Sequence, residues 1–198
     1  MEHNDAELTG VAQQTIRPCA ERDTPDILRI INAAAVAYRG VIPADRWHEP
    51  YMALEELRAE MTAGVRFTGY DSAGALAGVM GIQQVRNVRL IRHAYVLPKW
   101  QGHGVGSKLL DHLRGSDDSP ILIGTWAAAS WAVHFYEQHG FELVPHDAIA
   151  PLLQAYWNVP ERQIATSVVL ACPALSESDA ARLIATGSCG ALKARPPR

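Results

Sequence analysis

The residues between Gln101 and Lys108 are where composition and spacing most directly suggest chemistry. They read Gln101-Gly102-His103-Gly104-Val105-Gly106-Ser107-Lys108, with glycine at alternate positions. An apolar stretch ending at Pro98 precedes them, and Leu109, Leu110 and Leu113 follow at helical spacing. A strand, a glycine loop and a helix in this order form an anion site. Glycine lets the backbone approach without a side chain in the way, and the first amides of a helix have no partner within it and sit at its positive end. The chemistry to expect is the grip of a phosphate or pyrophosphate. Two familiar phosphate loops do not fit. G-x-x-x-x-G-K-[ST] fails on the order Gly106-Ser107-Lys108, and G-x-G-x-x-G fails because the third glycine comes one place early. What the residues spell is Q-x-x-G-x-G, from Gln101 through Gly104 to Gly106. A connection that was merely tight would not need three glycines, each of which costs chain entropy.

Other constellations are poor. There is no H-E-x-x-H and no paired-cysteine motif, so no metal is expected, and there is no G-x-S-x-G elbow. His134 and His139 are five apart and do not share a helix face. Trp157, Arg162 and Gln163, around the segment before the last strand, are candidates to contact a substrate, and Trp157 reads more readily as a packing residue.

The elements that must position the loop follow from periodicity and punctuation. Residues 15–19 read as a short strand, held to an edge by Pro18. Asp23-Thr24-Pro25 reads as a helix start, with Asp23 as the capping residue and proline in the first turn. Ile27, Leu28, Ile31, Ala34, Ala35 and Tyr38 continue it at helical spacing to Gly40. A loop over 41–50 carries Arg46-Trp47-His48-Glu49, and 52–61 reads as a second helix. Strands follow at 65–70, 76–84 and 88–97, with a turn at Arg86-Asn87. A helix at 105–113, a buried strand at 121–126, a helix at 130–139, a strand at 141–144, a helix at 148–157 and a strand at 164–171 complete the order. An antiparallel run followed by strand-helix-strand units calls for a mixed sheet with helices on both faces. Residues 1–13 read as an N-terminal arm and 14–172 as one domain. Residues 173–198 read as a tail, mobile or carrying a short helix at 177–184.

The chain has 198 residues, 48% hydrophobic and 20% charged, with 18 Lys plus Arg against 21 Asp plus Glu. That is a globular composition with a small negative charge, which argues against a nucleic-acid binder. No apolar run approaches the roughly 18 residues needed to cross a membrane, and the first residues do not read as a signal peptide. Three widely separated cysteines, Cys19, Cys172 and Cys189, fit reduced thiols in a cytoplasm.

The loop with its flanks, Tyr95-Val96-Leu97-Pro98 before it and Gly106-Ser107-Lys108-Leu109-Leu110 across it, resembles motif A of the GNAT superfamily of acetyl-CoA-dependent acetyltransferases. Ala132-Val133-His134-Phe135-Tyr136-Glu137-Gln138-His139-Gly140-Phe141 resembles the family's A-x-x-F-Y-x-x-x-G-F block, in the expected order. The resemblance spans residues 14–171. It implies an α/β (α+β) fold with a mixed, mostly antiparallel central sheet of about seven strands and helices on both faces.

The resemblance also implies roles. Acetyl-CoA is the acetyl donor, with its pyrophosphate on the backbone of Gln101, Gly102, His103, Gly104, Val105, Gly106 and Ser107. Its pantetheine arm lies along Ala94, Tyr95 and Val96 like an added strand. A primary amine of a small molecule attacks the thioester directly through a tetrahedral intermediate, with a backbone N–H near Val96 facing the oxyanion. Tyr136 matches the position of the acid that protonates the leaving thiolate; its other reading is core packing beside Phe135. For the general base His93 is the candidate, and a water chain is the alternative. His48 and Glu49 are candidates to line the acceptor mouth, or else form a solvated cluster. The family often carries Asn six residues before the Phe of F-Y, where this chain has Ala129, so a side-chain bond to pantetheine is missing unless Ser130 supplies it. The alternatives to small-molecule acetylation are a noncatalytic acyl-CoA-binding module and a protein N-terminal or lysine acetyltransferase. No nucleic acid and no membrane are expected as partners, and a homodimer is the commonest assembly on base rates.

Overall fold

In a computed structural model, residues 14–115, 119–157 and 159–189 are described; the arm at 1–13 and the last residues of the tail lie outside them. The elements run β1 (Gln14–Pro18), α1 (Thr24–Ala35), α2 (Leu54–Thr62), β2 (Arg66–Ser72), β3 (Ala75–Val85), β4 (Val88–Val96), α3 (Val105–Arg114), β5 (Ile121–Trp126), α4 (Ser130–Gln138), β6 (Glu142–Leu143), α5 (His146–Tyr156), α6 (Glu161–Ile164), β7 (Ser167–Cys172) and α7 (Glu177–Cys189). The strands form one sheet in the order β1-β2-β3-β4-β5-β7-β6. Every neighbouring pair is antiparallel except β4 and β5. This is the mixed, mostly antiparallel seven-stranded sheet expected from the sequence.

Alternation along the central strands sorts their side chains to two faces. Ile91, Ile121, Ile123 and Leu170 pack under α3 and α4 with Leu109, Leu110 and Phe141. Val88, Leu90, Leu122, Val169 and Ala171 face α5, while Val65, Phe67 and Val79 face α1 and α2. Ile27, Ile30, Ile31 and Ala34 are the buried stripe of α1, spaced as one helix face requires. Each fully buried isoleucine contributes about 2 kcal/mol of apolar burial. No helix among the described residues is long and apolar enough to cross a membrane.

Three features depart from the sequence expectations. The four-residue α6 lies where the last strand was expected to begin. The helix in the tail extends to residue 189 and docks on α5, with Ala180 buried and Leu183 and Ile184 packed beside it. Asp23 does start α1, but its carboxylate makes no cap bond there. It takes two hydrogen bonds from the Arg17 guanidinium at 2.9 and 3.0 Å and a third from the Ala20 N–H at 2.7 Å. Arg17 also reaches Asp71 at 3.1 Å, tying β1 to the start of α1 and to β2.

The Arg17 hydrogen bonds hold the Asp23 carboxyl down at about 2, against an opposing push from burial. A carboxyl lowered by folding stabilises above its unfolded value and loses that contribution as pH falls toward the folded value. Asp23→Asn is expected to cost about 2 kcal/mol at pH 7. In urea unfolding the gap to wild type should shrink as pH drops from about 4 toward 2. A gap that stays constant with pH would contradict the assignment.

Candidate active site

The site is built by what β4 does halfway along. β4 and β5 pair only through Arg89, Ile91 and their neighbour Leu90, opposite residues 121–123, and then separate. At the same level β4 carries a bulge: Ile82 pairs with Ile91 and Gly81 with His93, leaving Arg92 unmatched. The extra residue reverses the alternation of the strand. Before it, Arg89 turns its N–H toward the β5 side, donating to Pro120 at 2.9 Å. After it, Leu97 donates to Ala77 of the β3 side at 2.9 Å. The main-chain groups of Ala94 and Val96 therefore point into the gap that β5 has vacated. Side chains reverse as well. Ile91 packs under α3, whereas His93 turns to the opposite face beside Phe67, at 5.7 Å between ring centres.

A cavity of about 780 Å³ fills the split, lined on the α3–α4 face by Ala94, Val96, Gly106 and Phe135 and on the other by His93, Tyr51, Glu60 and Trp157. The glycine loop lies at the α3 end. Gly102 and Gly104 have φ of 77° and 73°, left-handed values that a side chain disfavours. A Cβ at either position would meet nothing, so conformation and not space explains glycine there. None of the N–H groups of residues 102–107 donates to a protein acceptor among the described residues. Successive amides turned out by left-handed residues at a helix N-terminus make an anion-binding concavity.

Across the split, Glu60 of α2 lies 2.5 Å from His93 Nε2 and 3.3 Å from Arg92 Nη2. Burial works to raise the Glu60 carboxyl, but His93 and Arg92 outweigh it and hold it below the usual value. An ionised carboxylate only accepts, so Nε2 carries the ring proton and Nδ1 is left as the basic nitrogen. Four tyrosines line the same cavity. Burial pushes the Tyr38 hydroxyl up to about 12, and raises Tyr51, Tyr95 and Tyr136 as well. All four stay neutral donors near pH 7. The Tyr136 hydroxyl has no hydrogen-bond partner among the described residues, and its ring lines the cavity.

The sequence-derived candidates separate into those that meet and those that do not. Tyr136, His93, Ala94, Tyr95, Val96, Gln101, Gly106 and His48 line the cavity. Gly102, His103, Gly104 and Ser107 form the loop at its end, and Val105 is buried beneath it. The Gln101 N–H donates to Pro98 at 3.3 Å, so the run of open amides starts one residue later than expected. Its side chain instead donates to Val96 O at 3.1 Å. The Tyr95 main chain faces β3, so only Ala94 and Val96 present a free edge. Glu49 turns outward to an ion pair with Arg39 and does not reach the cavity. Ala129 is fully buried against Trp126 and leaves no polar group at that position. Sequence reasoning missed Glu60, which sits in a charged helix and reads as solvated surface. It also missed the Arg92 bulge, for which no residue pattern gives a signal.

A family model described as an acetyltransferase (GNAT) domain matches residues 32–149. Among solved structures, an acetyltransferase from Thermus thermophilus is 13% identical with a TM-score of 0.59, covering 81% of this chain and 97% of its own. PaiA N-acetyltransferase from Thermoplasma acidophilum, in complex with coenzyme A, is 15% identical with a TM-score of 0.59, covering 80% and 98%. A ribosomal-protein-alanine N-acetyltransferase from Brucella melitensis is 24% identical with a TM-score of 0.52, covering 65% and 85%. A search of curated proteins by sequence finds no match.

The positive φ of Gly104 gives a direct check on the loop. Gly104→Ala is expected to destabilise by about 1–2 kcal/mol, the cost of a left-handed alanine, and Gly104→Asn by less. Equal stability of the alanine variant and wild type in chemical unfolding would contradict that loop conformation.

Proposed function

The chain belongs to the GNAT acetyltransferase family through its residues 32–149, and on that premise we propose that it transfers an acetyl group from acetyl-CoA to the primary amine of a small molecule. The observation that carries the reading is continuous backbone. The open amides of residues 102–107 lead into the free edge of Ala94 and Val96, which ends between Tyr136 and His93. A diphosphate, an amide-bearing arm and a thioester are spaced along a carrier in that order, and this path offers each a suitable partner.

The donor supplies an acyl carbon bonded to a thiolate leaving group. The residues present fit it: amides for its phosphates, strand edge for its amides, and apolar surface from Phe135 and Leu109 beside its arm. For its arm to pair with Val96, the Gln101 side chain must release the Val96 carbonyl. His93 Nδ1 takes the proton of the attacking amine, and Glu60 holds the ring by Nε2 and stabilises the charge it gains. The Val96 N–H faces the developing oxyanion. As the amine nitrogen bonds to the acyl carbon and the carbon–sulfur bond breaks, Tyr136 donates its hydroxyl proton toward sulfur. Burial keeps that hydroxyl protonated, which suits a donor and bars it from acting as the base.

Tyr136→Phe is expected to lower kcat about 100-fold, the size of a lost general acid, with acetyl-CoA affinity in calorimetry unchanged. Unchanged turnover would remove Tyr136 from the reaction. Gly104→Glu is expected to abolish acetyl-CoA binding by putting charge and bulk into the anion site; retained binding would overturn the donor assignment. A wild-type protein that binds acetyl-CoA but releases no thiol with any amine would be a binding module instead.

A further inference from the structure

The acceptor half of the cavity is lined unevenly in charge. In the connection between α1 and α2, Arg46 lines the cavity, and its one ion-pair partner among the described residues is Asp45, 3.8 Å from its Nε and beyond hydrogen-bond distance. Asp45 is shared with Arg162, which holds it more closely at 3.3 Å. Two guanidinium groups thus divide one carboxylate, and Arg46 Nε is buried with no hydrogen-bond partner. Along α2 the imbalance is opposite. Glu56 and Glu60, one turn apart on one helix face, both line the cavity. Arg92 offsets Glu60, while Glu56 has no ion-pair partner among the described residues. The lining also holds a stack of rings, with Tyr38 at 6.0 Å from Tyr51 and 5.5 Å from Trp131.

Resting on the acyl-transfer reading above, we infer that the acceptor is a free α-amino acid with a flat, bulky side chain. Its carboxylate seats on Arg46, its amino group lies toward Glu56 and the Glu60–His93 pair, and its side chain lies against the tyrosine and tryptophan rings. A simple amine, a lysine side chain or a peptide N-terminus brings no carboxylate on the carbon that bears its amine. A simple amine or a lysine side chain would leave the buried Arg46 Nε–H without an acceptor, and a peptide N-terminus would offer it a neutral carbonyl in place of a charged carboxylate; a site built to bond a group discriminates against ligands lacking it. Aromatic faces recognise flat side chains by offset and edge contacts, and the excess carboxylate on α2 favours the ammonium form on arrival.

The test uses the full chain saturated with coenzyme A and titrated with four probes in calorimetry. L-Phenylalanine carries all three features, 2-phenylethylamine lacks the carboxylate, 3-phenylpropionate lacks the amine and L-alanine lacks the ring. Phenylalanine is expected to bind at least about tenfold more tightly than each of the others. Arg46→Met should bring the ratio of phenylalanine to phenylethylamine affinity close to one, and Arg46→Lys should restore part of it. If phenylethylamine matches phenylalanine, or if Arg46→Met leaves the ratio unchanged, the inference falls. Thiol release from acetyl-CoA with the same probes separates the two readings. Selective binding of phenylalanine without thiol release overturns acyl transfer and leaves the pocket assignment standing. Faster acetylation of phenylethylamine than of phenylalanine does the reverse.

Discussion

The separation of β4 from β5 after three paired residues is the constraint on which the rest of the molecule depends. A continuous sheet would satisfy the main-chain groups of Ala94 and Val96 with a neighbouring strand and would close the cavity. Buried main-chain donors and acceptors left unpaired are costly, so a gap of this kind persists only where the surrounding fold holds it open and water or a ligand answers its hydrogen bonds. The fold meets the first requirement on both sides of the gap. β5 is fixed on its other side by six antiparallel pairs to β7, which keep it from following β4. β4 is fixed to β3 along its whole length on either side of the bulge. The split is thus a consequence of two strands each bound more strongly to its outer neighbour than to the other.

The Arg92 bulge connects that constraint to chemistry. One inserted residue changes which main-chain groups and which side chains face the gap, because a strand has a period of two. Without it, His93 would point under α3 among Leu109 and Leu110, where a basic nitrogen would be buried among apolar groups. With it, the ring lies on the other face within reach of Glu60, while the free main-chain edge of Ala94 and Val96 borders the gap.

Much of this was legible in the residues. The loop's alternating glycines, the A-x-x-F-Y block and the spacing of Ile27, Ile31 and Ala34 each state a local requirement, and local requirements survive into the fold. The seven strands and their order followed from the same kind of signal. What was not legible depends on partners distant in sequence. Glu60 and Glu55 look alike in a charged helix, and only the packing of α2 against β4 distinguishes them. Glu49 was placed at the acceptor mouth by its position in a loop, but Arg39, ten residues earlier, claims its carboxylate. Asp23 was read as a cap because its position before Thr24-Pro25 suits one, yet the guanidinium of Arg17 offers a charged partner and a cap offers only a neutral N–H. Register faults such as the Arg92 bulge are set by the competition between neighbouring strands, which no single segment encodes.

The four buried tyrosines settle which groups can exchange protons in the cavity. Burial penalises the phenolate at Tyr38, Tyr51, Tyr95 and Tyr136 alike, so each donates a hydrogen bond and none accepts a proton near neutral pH. Glu60 is ionised but held low by His93 and Arg92, which makes it a weak base and a good anchor. His93, bonded to Glu60 through Nε2, lies beside it, and His48 and Glu56 line the same cavity. The Tyr136 hydroxyl, with no hydrogen-bond partner among the described residues, faces the cavity as a neutral donor.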